Sequence, residues 1–172
     1  MQFRGAFGSR IATSVPLMPK IRTKCFQETD YADSSLFHFP SGLPGFDRER
    51  AFVFLSRPDS QPLLFMQSVL TPELCFVLLP VFAVAPQYRL VLDEEALADL
   101  HLPPESQPII GEDILCAVIV CARGNQEPPT VNLLAPVVVN LHDRIGIQAI
   151  QTQSGYSHRH PLAAKEELAS CS

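Results

Sequence analysis

No run in this 172-residue chain reaches the roughly 18 consecutive apolar residues that a membrane-spanning helix needs, and no signal-type apolar core follows the early basic residues. Neither membrane insertion nor secretion is expected, and the cysteine pattern below leads us to expect a cytoplasmic protein. A basic stripe is also missing. The chain has 13 Lys and Arg against 18 Asp and Glu, a net charge of −5. The bases are scattered, from Arg22 and Lys24 through Arg48 and Arg50 to isolated Arg57, Arg89, Arg123, Arg144 and Arg159. Direct nucleic-acid binding is not expected from that pattern, whereas a basic protein partner would be attracted.

Several chemical signatures are absent as well. There is no glycine-rich phosphate loop, and Ser41 lacks the glycine two residues earlier that a nucleophile elbow requires. Five cysteines, at positions 25, 75, 116, 121 and 171, show no Cys-x-x-Cys spacing. An odd, irregular set reads as reduced thiols rather than a disulfide framework. Cys116 and Cys121 point to opposite faces of a regular strand, so neither a mutual disulfide nor a shared metal is natural. Cys75, Cys116 and Cys121 lie in apolar runs and are expected to behave as small core hydrophobes with raised thiol pKa. His158 and His160 would share one side of an extended segment, but a metal site needs three or four ligands and the spacing offers no third. No catalytic constellation, metal site or cofactor is expected.

What the chain does have is 47% hydrophobic residues, enough for one core, and 16 prolines set between short apolar runs. Residues 1–19 carry Pro16, Pro19, two glycines and no acid, and are expected to form a flexible arm. A half-exposed strand is expected from Ile21 to Glu28. It leads into the bend Phe37–Phe46, where prolines fix φ and glycines permit positive φ while Phe37, Phe39 and Phe46 anchor a core. Further strands are expected at Ala51–Leu55, Leu63–Ser68, Leu74–Leu79, Tyr88–Leu92 and Ile147–Thr152. Ile114–Ala122 is apolar at both parities, which predicts a central strand covered on both faces. Pro136 should break the run Thr130–Leu141 at a bulge, edge or strand boundary, and Asn132 and Asn140 within it should bond backbone. One short helix is predicted over Asp93–Leu102, capped by Asp93 and ended by Pro103. With no crossover helices between strands, the class is all-β: a small antiparallel barrel-like or sandwich domain.

Four stretches in order carry a resemblance: Phe39-Pro40-Ser41-Gly42-Leu43-Pro44-Gly45-Phe46, Phe65-Met66-Gln67-Ser68, Asn132-Leu133-Leu134-Ala135-Pro136, and Tyr156 with Arg159-His160-Pro161-Leu162. Together they resemble the FliW family of flagellar assembly factors over residues 20–162, leaving the arm and a mobile tail at 163–172 outside. Gln67, Ser68, Asn132, Pro136 and His160 are then structural marks of the family. The resemblance implies a barrel-like fold without enzymatic activity, and two alternative partners, flagellin and the translational regulator CsrA. Flagellin binding would release CsrA to repress flagellin synthesis. Two departures stand out: Leu79-Pro80-Val81-Phe82 has no acid before the proline, and Ile147 stands where relatives often carry a base. A partner surface is expected at Leu43, Pro44, Phe46, Tyr88 and Tyr156, residues displayed on loops. The alternatives are a barrel enclosing a small ligand and a metal enzyme built around His158 and His160.

Overall fold

Apolar side chains at every second position set the architecture of the computed structural model, which describes residues 20–23, 27–31, 35–122, 124, 127–152 and 154–162. In chain order come β1 (Lys20–Thr23), β2 (Gln27–Asp30), β3 (Leu36–His38), β4 (Ala51–Ser56), β5 (Leu64–Ser68) and β6 (Cys75–Pro80). Two short helices follow, α1 (Val81–Val84) and α2 (Glu94–Asp99). The chain then forms β7 (Ile114–Cys121), β8 (Thr130–Val131), β9 (Val137–Asn140), β10 (Ile145–Gln148) and β11 (His160–Pro161). β7 bonds β6 on one side and β9 on the other, so the order β7-β6-β5-β4-β3-β10-β9 returns to β7 and closes a barrel. Every neighbouring pair is antiparallel except β3 and β10, which meet in parallel at the single pair His38 and Ile145.

β7 shows why closure works. Its odd residues Leu115, Ala117 and Ile119 pack inward with Phe39, Phe52, Met66, Leu78, Val137 and Val139. Its even residues Ile114, Cys116 and Val118 pack outward against Val81, Tyr88, Leu92, Leu97 and Leu100. The barrel interior is thus filled by side chains, as barrels of this size allow, and the positions a small ligand would need are occupied. The segment from α1 through α2 forms a second apolar layer on the outer wall.

Asp93 begins α2 as expected, its Oδ1 accepting from Ala96 N at 2.9 Å. The run Thr130–Leu141 does break, into β8 and β9. Val131 pairs with Val120 and Val137 with Ala117, so Asn132–Pro136 form a wide bulge opposite Val118 and Ile119. Each carbonyl after Asn132 has its own partner. Tyr88 Oη donates to Leu133 O, Gln151 N to Leu134 O, Gln148 Nε2 to Ala135 O and Ala149 N to Pro136 O. Asn132 Oδ1 itself accepts from Ala135 N. This satisfied bulge is the physical content of the Asn-Leu-Leu-Ala-Pro stretch.

Five expectations are corrected. The first strand is a hairpin, β1 against β2, with residues 24–26 outside the described set. Tyr88–Leu92 is not a strand. Its ladder partners are side-chain amides: Gln151 accepts from Val91 N and donates to Val91 O, both at 3.0 Å. Gln107 does the same for Leu92, both at 2.8 Å. A second helix, α1, follows Pro80, because the apolar run turns onto the outer wall instead of ending. The strand after Arg144 starts earlier than expected and spans Ile145–Gln148. Cys121 is exposed, since it ends β7 past the apolar residues that fill the barrel. The expected arm at 1–19 and tail at 163–172 lie outside the described residues, as do Cys25 and Cys171.

Candidate functional site

Phe37–Phe46 leaves the sheet after His38 and is held by short turns, with Gly42 N donating to Phe39 O at 2.9 Å and Phe46 N to Leu43 O at 2.7 Å. Gly42 has φ +70, and a Cβ there would lie 2.8 Å from the Asp47 backbone, so only glycine fits. All three phenylalanines anchor the bend edge-on: Phe37 on Phe54, Phe39 on Phe52, Phe46 on Phe76. Glu49 fastens its far end. This carboxylate is 8% exposed and accepts from Ser68 Oγ and from Thr71 Oγ1. Gln67 grips the same β5–β6 turn from the other face, its Nε2 lying 2.9–3.1 Å from the carbonyls of Ser68, Pro72 and Leu74. His160, half-buried, pairs with Val131 in the short β8–β11 ladder.

Of the five residues expected on a partner surface, Leu43 and Tyr88 are buried. Leu43, 2% exposed, belongs to the barrel interior, because the turn folds its side chain under the bend. Tyr88, 5% exposed, is stacked on Tyr156 at 4.3 Å with its hydroxyl spent on Leu133 O. Burial pushes the Tyr88 phenol pKa upward. Tyr156 is half-buried, and its hydroxyl accepts from Arg89 N. Pro44 and Phe46 are exposed.

Beside the bend runs a groove of about 480 Å³, lined by Ser41, Gly42 and Pro44 on one wall, α2 on another and Gly146–Thr152 along its floor. It continues past Val91 and Ile150 into a neighbouring space of about 370 Å³. Four carboxylates, Asp47, Asp93, Glu95 and Asp99, line the larger part, and among the described residues no Lys, Arg or His does. Val91 and Ile150 are 67% and 60% exposed, an apolar pair at the acidic rim. The acidity of α2 was legible in the sequence, but Asp47 joins it only through the fold. Neither Val91 nor Ile150 stood out, each being one apolar residue among many.

Elsewhere, exposed Asp143 sits between His142 Nδ1 at 2.8 Å and His101 Nδ1 at 3.2 Å. These hydrogen bonds hold its carboxyl below the usual range. Among the described residues no three His, Cys, Asp or Glu side chains gather in a way that could hold a metal ion. No helix among them is long and apolar enough to cross a membrane. Burial pushes the Cys116 thiol up to about 12, while Cys121 is open to solvent. Thiol labelling at pH 8 with peptide mapping should therefore modify Cys121 well before Cys116, with Cys116 slower by roughly three orders of magnitude or more. Comparable rates would mean that the outer apolar layer does not cover β7.

Fold and groove together define a small all-β barrel with a packed lumen and its open features on the outer wall. The sequence profile described as FliW protein matches residues 20–162, and the chain belongs to the FliW family. Similar relatives are the flagellar assembly factors FliW of Desulfitobacterium hafniense strain Y51, 38% identical over 83% of this chain and 90% of that one, and of Geobacillus thermodenitrificans, 36% identical over 83% and 94%. A crystal structure of the flagellar assembly factor FliW superposes with a TM-score of 0.72 at 36% identity, covering 86% of this chain and 99% of that one.

Proposed function

We propose that the chain is a cytoplasmic, non-enzymatic flagellar assembly factor that binds flagellin and, in exclusion of it, the translational regulator CsrA, coupling flagellin synthesis to export by partner switching. Family membership across residues 20–162 carries this reading. The net charge of −5 and the four carboxylates of the groove support it, since complementary potential speeds encounter with an RNA-binding regulator and opposes RNA phosphates. Pro44 and Phe46, with the outer edge of Tyr156, are the proposed contacts; Leu43 and Tyr88 hold them from beneath.

The test is a sizing column loaded with the protein and flagellin, the protein and CsrA, and all three. Two binary complexes that exclude one another are expected, and failure to form either overturns the reading. Pro44→Ser with Phe46→Ser should weaken at least one complex by roughly tenfold. Unchanged binding of both partners by a folded variant removes these two residues from the surface.

A further inference from the structure

The floor of the groove is an unfinished sheet edge. β10 pairs with β9 along its whole length, Ile145 to Gln148, but meets β3 only at Ile145, because the bend carries the chain away after His38. Just past β10, Ala149 N donates to Pro136 O at 2.9 Å and Gln151 N to Leu134 O at 2.8 Å, so the odd-numbered residues turn their backbone groups toward the β9 side. Alternation turns the N–H and C=O of Gln148 and Ile150 the other way, into the groove. Among the described residues no strand or loop backbone meets them there. Elsewhere in the same lining the exposed backbone is completed by side-chain amides, Gln151 for Val91 and Gln107 for Leu92. No described side chain does this for Gln148 or Ile150.

We propose that this edge accepts an extended, basic segment of a partner protein, which pairs with the groove side of β10 as one more strand. The edge from Gly146 to Ile150 offers about 17 Å of extended backbone, enough for a segment of about five residues. Charge selects the composition. Asp47 stands on the bend, and Asp93, Glu95 and Asp99 belong to the start and body of α2; all four are exposed. Because both the bend and α2 contribute carboxylates, Lys or Arg on either face of an added strand finds an acid, and Asp or Glu on either face meets like charge. Backbone pairing thus supplies the affinity, and the carboxylates reject segments that are not basic. The same charges argue against a second copy of this chain as the occupant, since each copy would bring its own four carboxylates to the shared edge. Val91 and Ile150, exposed in the lining, are apolar surface that the segment would cover. The inference does not rest on the flagellar reading, and its failure would leave that reading standing.

The probe is a fluorescein-labelled synthetic peptide of alternating lysine and valine, titrated with the full-length protein at low salt and followed by anisotropy. Saturable binding is expected. It should weaken at least tenfold when glutamate replaces every lysine, and as much when every peptide amide is N-methylated, which keeps the charge and removes the donors for strand pairing. On the protein, Glu95→Gln with Asp99→Asn, both exposed on α2, should weaken binding roughly tenfold. Ile150→Pro removes a groove-facing amide while leaving the β9 side intact, and should do the same. Circular dichroism checks that each variant is folded, and the α2 pair tests the site even where the proline variant is not. A second peptide, of alternating arginine and threonine, repeats the titration, and no binding by either overturns the proposal. Equal binding of the N-methylated and parent peptides means attraction by charge without strand addition and overturns it. Binding that neither folded variant weakens lies on another face and overturns it equally. A dimer on a sizing column that the peptide dissociates assigns the edge to a second copy, against a partner segment.

Discussion

Gly146→Ala should destabilise the protein by roughly 1–3 kcal/mol, as measured by urea unfolding, although a glycine-to-alanine change in extended backbone ordinarily stabilises by about 0.4–1 kcal/mol. The reason is the register of β10. Gly146 pairs with Val139, which points into the barrel, so any side chain at 146 points there too. That space holds the Phe39 ring. A Cβ would strike Cζ and lie 2.7 and 2.9 Å from Cε1 and Cε2. The ring is fully buried and wedged edge-on against Phe52 at 5.2 Å, so it has nowhere to retreat. Phe39→Leu alone should cost about 1–2 kcal/mol for the cavity it leaves. Combined, the two changes should cost at least about 1 kcal/mol less than their sum, because each relieves the other. Strict additivity would show that the bend does not seat Phe39 over Gly146.

The second large effect is expected at Asn140, 4% exposed, which ties the end of β9 to the end of α2. Its Nδ2 donates to Leu100 O at 2.8 Å, and its Oδ1 accepts from His142 N at 2.8 Å and Asp143 N at 3.1 Å. Asn140→Ala strands one buried carbonyl and two amides, for about 1–3 kcal/mol. Asn140→Asp keeps the acceptor but sets a carboxylate oxygen against Leu100 O in a buried site, and at pH 7 it should cost more than alanine, roughly 2–5 kcal/mol. Burial and the facing carbonyl raise the folded-state pKa of this aspartate above its unfolded value of about 3.9. A raised folded pKa means the native form keeps its proton longer. The aspartate variant is therefore least penalised below about pH 4 and loses stability as pH rises toward its folded pKa. Measuring it against Asn140→Ala at each pH cancels the titration of His101 and His142. A gap between the variants that stays constant from pH 4 to pH 7 would rule out the donor role of Asn140.

Where a residue's environment follows from its immediate neighbours in sequence, it could be read directly. Ile114–Ala122 is apolar at both parities because its two faces meet two different apolar layers, and Asp93 caps a helix through an amide three residues on. Pro136 had to break its run because it has no amide to give. Where the deciding partner is distant, the reading failed. Tyr88–Leu92 alternates like a strand, but its backbone is completed by the amides of Gln107 and Gln151, which nothing nearby announces. Glu49, between Arg48 and Arg50, looks solvated; the hydroxyls that bury it belong to Ser68 and Thr71 across a strand pair. Leu43 and Phe46 occupy the same bend, and alternation says nothing inside a turn, so the aliphatic residue went in and the aromatic one stayed at the surface. The groove suffers the same limit, since Asp47 and α2 become neighbours only once the barrel has formed.

The single pair joining β3 to β10 also shapes how the chain must fold. β4, β5 and β6 meet their neighbours through short connections and can zip together early, at little cost in loop entropy. His38 and Ile145 come from opposite ends of the domain, and their contact repays its closure entropy only after everything between them is in place. Until then the chain is an open curved sheet with two bare edges, the species most prone to pair with a stranger. Phe39, dropping onto Gly146 one residue past that pair, is the latch: its burial rewards the final closing step and ends the interval in which the edges stand exposed.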